Sequence, residues 1–92
     1  MIHTIRHKGL RELWERSDTR LIDRNLHKRI LRLLDVLNEV KRADGMNYAG
    51  TRFHALHGFK PTRYTVHVNG PWCITFEFEG GNAQRVDLEQ YH

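Results

Sequence analysis

The sequence has little of what would assign a class at sight. It holds one cysteine, Cys73, in 92 residues, so no internal disulfide framework exists and a reducing compartment fits best. No apolar run approaches the roughly 18 residues of a membrane span, and the opening "MIHTIRHKG" carries no signal-peptide core. A soluble, cytoplasmic protein without a membrane partner is therefore expected. With two prolines and seven glycines there is no linker, repeat or low-complexity stretch, and residues 1–92 read as a single domain. No P-loop, dinucleotide fingerprint, Ser-His-Asp order or helix-turn-helix signature is present.

Negative charge is also in deficit. Eleven acidic residues face 15 Lys and Arg, for a net charge of +4, which favours a polyanionic partner such as nucleic acid, an acidic protein or a phospholipid surface. Seven histidines add positive charge wherever anions gather around them.

What is present patterns clearly. "IHTI" alternates and is β-branched, which predicts a short strand over 2–5. Leu10, Leu13 and Trp14 recur at helical spacing, and Ser17-Asp18-Thr19 closes that helix. Leu26, Ile30, Leu33, Leu34, Leu37 and Val40 form a longer stripe over 22–43. Asp23 can cap its start, and Lys41 and Arg42 lie where a helix C-terminus favours cations. A short strand is expected near 52–56, then strands over about 63–68, 71–79 and 84–90, with "VNGP" and "EGGN" as hairpin turns. The expected fold is α+β: a small twisted antiparallel sheet, made of the N-terminal strand plus three to four C-terminal strands, with two helices packed on one face.

Alternation along the strands sorts the side chains. Tyr64, Val66, Val68, Trp72, Ile74, Phe76, Phe78, Val86 and Leu88 share the apolar face. Arg63, Thr65, His67, Cys73, Thr75, Glu77, Arg85, Asp87 and Tyr91 share the other, which is expected to be polar and open.

Metal-independent RNA cleavage needs few parts. A general base takes the ribose 2′-hydroxyl proton, cations stabilise the phosphoryl oxygens, and a general acid protonates the departing 5′-oxygen. "RFHALHGFKPTRY" offers Arg52, His54, His57, Lys60 and Arg63 within a short span, and the last two positions add Tyr91 and His92. One cysteine with scattered histidines matches no zinc-finger spacing, so neither metal nor cofactor is expected.

"IRHKGL", "HALHG", "WCITFEF" and the closing "YH" occur in the order seen in one family, and the chain resembles the HigB branch of the RelE/ParE toxins over essentially its whole length. The resemblance implies the same small sheet with two helices. It also implies a ribosome-dependent mRNA endonuclease that arrests growth by stopping translation, silenced by a helix-turn-helix antitoxin (HigA-like) through which alone it meets operator DNA. It further implies acid/base roles for His54 and His92 and stacking or orientation for Tyr91. The family's arginine after the tryptophan, a phosphate clamp, is Cys73 here. Its acidic residue before the final Tyr-His is Gln90, and a lysine three positions after the family histidine is His57. Arg63 is the first choice for the missing cation because strand alternation puts it on the face of Cys73 and Tyr91, with Lys60 and Arg52 as the others. Two further readings stay open at this point: a ParE-like gyrase-binding toxin, and a weakened homologue that chiefly binds its antitoxin.

Overall fold

In a computed structural model the structure is described for residues 1–90. Helix α1 (Lys8–Arg16) buries Leu10 and Leu13, one turn apart, and turns Arg11, Glu15 and Arg16 to solvent. The His7 Nδ1 accepts the Leu10 N–H at 3.0 Å and satisfies one of the donors a helix start leaves bare. Ser17 stops the helix in a left-handed conformation, φ 56°.

Helix α2 (His27–Glu39) follows a 3-10 turn over Arg24–Leu26, where the Asp23 carboxylate accepts the Asn25 N–H at 2.9 Å as the sequence anticipates. Its stripe of Ile30, Leu33, Leu34 and Leu37 is buried. The helix is shorter than the apolar pattern implies. Val40 turns extended and packs on Gly45, where an added Cβ would come within 2.7 Å of Val40 Cγ1. That contact ends α2 before Lys41 and Arg42, which therefore lie beyond its last turn.

Four antiparallel strands follow in the spatial order of the chain: β1 (His54–Leu56), β2 (Arg63–Asn69), β3 (Trp72–Glu79) and β4 (Asn82–Gln90). Gly70 at φ 55° and Gly80 and Gly81 at φ 60° and 81° supply the left-handed turn geometry that other residues resist. The N-terminal segment, expected as a strand of the antiparallel sheet, lies beside β4 but runs parallel to it, and among the described residues it makes two isolated bridges, Ile2 to Ala83 and Ile5 to Val86. Those bridges cover the β4 edge, with the Ala83 N–H on the Met1 carbonyl at 2.9 Å and the Val86 N–H on the Thr4 carbonyl at 3.0 Å.

One apolar core joins the layers. Leu10 and Leu13 of α1, the α2 stripe and Met46 meet Val66, Ile74, Phe76, Val86 and Leu88 from the sheet. A bulge at Arg85 (φ 48°) breaks strict alternation in β4. It brings Ala83 into the core opposite Phe78 and sets Gln84 opposite Glu77.

The opposite face is not uniformly open. Arg63, Thr65, Thr75 and Glu77 are buried there. The Arg63 guanidinium reaches the Glu77 carboxylate at 2.9 Å, the Thr75 hydroxyl at 2.8 Å and the Arg85 carbonyl at 3.1 Å, and Thr75 in turn donates to Glu89. Among the described residues no buried side-chain nitrogen or oxygen lacks a hydrogen-bond partner.

Candidate active site

A hollow of about 330 Å³ opens where β1, β2 and the start of β3 meet, lined by Arg52, His54, Leu56, Thr65, His67, Gly70, Pro71, Trp72 and Cys73. Its floor is fixed by strand pairing: Thr65 lies opposite His54, and Cys73 opposite His67. Its β1 wall is held from behind. The His67 N–H donates to the Thr51 carbonyl at 2.7 Å, and Arg29 of α2 clips the Gly50 and His67 carbonyls at 2.8 and 3.1 Å. Thr51 is fully buried and donates its hydroxyl to the Met46 carbonyl at 2.8 Å. Arg52 then takes a left-handed conformation, φ 50°, at a cost of roughly 1–2 kcal/mol for a residue with a Cβ. This braced, strained corner delivers Arg52 and His54 to the same opening.

Hydrogen bonding fixes the chemistry of His54. Its Nδ1 lies 2.9 Å from the Arg52 carbonyl, and a carbonyl can only accept, so Nδ1 carries a proton. In the neutral ring Nε2 is then the basic nitrogen. His67 is held the other way round, with Nε2 3.1 Å from the Gly70 carbonyl, which leaves Nδ1 as its second nitrogen.

Cys73 is 5% exposed. Burial pushes its thiol up and the nearby Glu89 carboxylate adds to this, against a hydrogen bond with Thr65 that pulls it down. A protonated thiol whose Sγ donates to the Glu89 carbonyl at 3.5 Å is a packing group and not a nucleophile.

The other candidates fall elsewhere. Arg63 shares the face of Cys73 but does not line the hollow; its guanidinium is committed to the buried pair with Glu77, which corrects the expectation that it is a free cation. His57 and Lys60 stand exposed on the loop between β1 and β2, outside the lining. Gln90 is exposed at the end of β4 and pairs with Trp72, also outside it. Tyr91 and His92 lie outside the described residues. Among the described residues no group of three or more His, Cys, Asp or Glu side chains is placed to hold a metal ion, and no helix is long and apolar enough to cross a membrane.

His67 is the lining residue that sequence reasoning passed over. Alternation put it on the correct face, and the pairing that sets it across from Cys73 was the signal that could have singled it out. Trp72 was assigned to the core, and it does pack there, but the bulge between His67 and Asn69 lets it border the hollow as well.

Comparison with known proteins is consistent with this geometry. The family described as the RelE-like toxin of type II toxin-antitoxin system HigB matches residues 3–92. The chain is 29% identical to the "Endoribonuclease HigB" of Proteus vulgaris over 92 residues, which is 100% of both chains.

Proposed function

Because the chain belongs to the HigB family of RelE-like toxins from type II toxin–antitoxin systems, we propose that it is an endoribonuclease that cuts messenger RNA on the translating ribosome. The observation that carries this reading is the His54 imidazole, its Nδ1 tied to the Arg52 carbonyl, beside the Arg52 side chain in one opening. A relative whose full length this chain covers is named an endoribonuclease.

In the proposed reaction His54 Nε2 takes the proton of a ribose 2′-hydroxyl. The 2′-oxygen bonds to the adjacent phosphorus, the bond to the 5′-oxygen breaks, and that oxygen leaves with a proton. The products are a 2′,3′-cyclic phosphate and a 5′-hydroxyl end. Arg52 offsets the charge growing on the phosphoryl oxygens. His92 is proposed as the acid and Tyr91 as the ring that orients a base, both on the family resemblance.

The partner in this reading is a helix-turn-helix antitoxin of the HigA kind, which alone contacts operator DNA; the toxin itself acts in the cytoplasm on ribosome-bound message. Lys28, Arg29 and Arg32 of α2 cluster with Asn25 of the preceding 3-10 turn around a second hollow of about 310 Å³. This basic surface suits either the antitoxin or ribosomal RNA phosphates.

Mapping 5′ ends of message on working ribosomes tests the proposal. Wild type should produce new ends, and His54→Ala should lower the cleavage rate by about 10²–10⁴-fold, the usual worth of a positioned acid or base. Intact message in the presence of folded wild-type protein would end the nuclease reading.

A further inference from the structure

A phosphate entering the hollow meets few groups able to hold it. Arg52 stands on the β1 side, and no Asp or Glu belongs to the lining among the described residues. On β3 Cys73 is a buried thiol with burial opposing its ionisation, and on β2 Arg63 is spent on Glu77. Among the described residues of the lining, the one group besides Arg52 and His54 that can carry positive charge is His67 of β2, directly across the strand pair from Cys73.

We infer that His67 is a phosphate-binding residue of this site: its imidazolium donates Nδ1–H to a non-bridging phosphoryl oxygen while Nε2–H stays on the Gly70 carbonyl. The inference rests on the RNA-cutting reading of the same hollow. The anchoring bond of 3.1 Å orients the ring, so little rotational freedom is lost on binding. His54 faces Thr65, two residues before His67 on β2. That diagonal relation separates the two backbone positions by roughly 7–8 Å, enough for a phosphodiester to sit between the rings. His54 then addresses the 2′-hydroxyl, and Arg52 and His67 flank the phosphate from opposite sides.

The charged and titratable groups around His67 are Arg52 and His54 on the β1 side and Cys73 across the pair, with Glu89 of β4 beyond it. Arg29 reaches over from α2 to the His67 carbonyl. With Nε2–H kept on the Gly70 carbonyl, only the doubly protonated ring can also offer Nδ1–H to the phosphate.

Four forms of the full chain test this: wild type, His67→Gln, His67→Arg, and His67→Gln combined with Cys73→Arg. Glutamine can keep a donor on the Gly70 carbonyl but cannot titrate, and melting curves report whether each variant remains folded. The probe is an RNA trinucleotide made uncleavable by a 2′-deoxy sugar at its central position, followed by NMR of the histidine ring protons, together with cleavage on translating ribosomes. The expected result is a moved His67 ring signal and a raised His67 pKa on binding. His67→Gln should lower cleavage on the order of 100-fold. His67→Arg should restore most of it without the alkaline decline, and the double variant should regain activity because the new guanidinium starts directly across from position 67. A folded His67→Gln protein with wild-type trinucleotide affinity, cleavage rate and pH profile overturns the inference while leaving the nuclease reading intact. A wild type that binds the trinucleotide through His67 yet cuts no message overturns the nuclease reading and leaves phosphate binding by His67 standing.

Discussion

Arg63→Ala separates a structural role from a catalytic one. In the folded protein the Arg63 side chain is 6% exposed and that of Glu77 is 12% exposed, with 2.9 Å between Nη1 and Oε2. Removing the guanidinium leaves a buried carboxylate without its counter-charge, and takes a donor from both the Thr75 hydroxyl and the Arg85 carbonyl. Breaking one side of a buried pair costs about 3–5 kcal/mol. For 92 residues, an unfolding entropy of roughly 2.1 cal/mol/K per residue gives about 0.19 kcal/mol/K, so the midpoint should fall by about 15–25 °C. A thermal melt followed by circular dichroism measures this. Replacing both partners together, Arg63→Met with Glu77→Leu, should recover most of the loss, since a well-packed apolar pair often matches a buried ion pair. At a temperature where Arg63→Ala is still folded, cleavage of message should remain within several-fold of wild type, because the residue lies outside the hollow. A variant that melts within a few degrees of wild type but no longer cuts would refute the structural assignment and return Arg63 to the site.

Other expectations can be checked as directly. The Cys73 thiol should react with iodoacetamide at pH 8 at least about tenfold more slowly than a free cysteine, because it is buried and its ionisation is opposed; a rate equal to glutathione's would contradict that environment. With the folded thiol raised above its unfolded value of 9.0, its contribution to stability is whole below that pH and declines as pH climbs past it, and Cys73→Ala should remove that decline in denaturant titrations. Asp18 should titrate near 2 by NMR, drawn down from 3.8 by its hydrogen bond and ion pair with Arg20. Its small stabilising effect is present above 3.8 and fades as pH falls toward 2, and Arg20→Ala should return the midpoint to the ordinary range. Deleting Tyr91 and His92 should leave a folded protein, since β4 is paired through Gln90, but one that no longer arrests growth; continued arrest by the shortened chain would remove those residues from the mechanism.

The architecture was legible wherever local pattern and tertiary packing agree. Leu10 and Leu13 of α1, the α2 stripe from Ile30 to Leu37 and the two glycine-bearing hairpin turns formed as read, while Asp23 caps the 3-10 turn that leads into α2 and not α2 itself. Departures came from packing that the apolar pattern does not encode. Val40 left the helix for Gly45, and a bulge at Arg85 changed which side Ala83 and Gln84 occupy. Within the candidate site, alternation correctly put Arg63, His67 and Cys73 on one face. It could not reveal that Glu77 and Thr75 occupy the Arg63 guanidinium, or that the Gly70 carbonyl holds His67 ready. Those facts depend on strand register, which no single stretch of sequence encodes.

The parallel contact between the first residues and β4 has a bearing on how the molecule is made. Thr4 and Arg85, joined at 2.8 Å, stand 81 positions apart, so the sheet's outer seam draws on segments made far apart in time. Until β4 has been translated, residues 1–6 have nothing to zip onto, and β3 lacks its outer neighbour. Closure of that seam therefore waits for β4, and until then the growing chain has no finished scaffold behind the hollow.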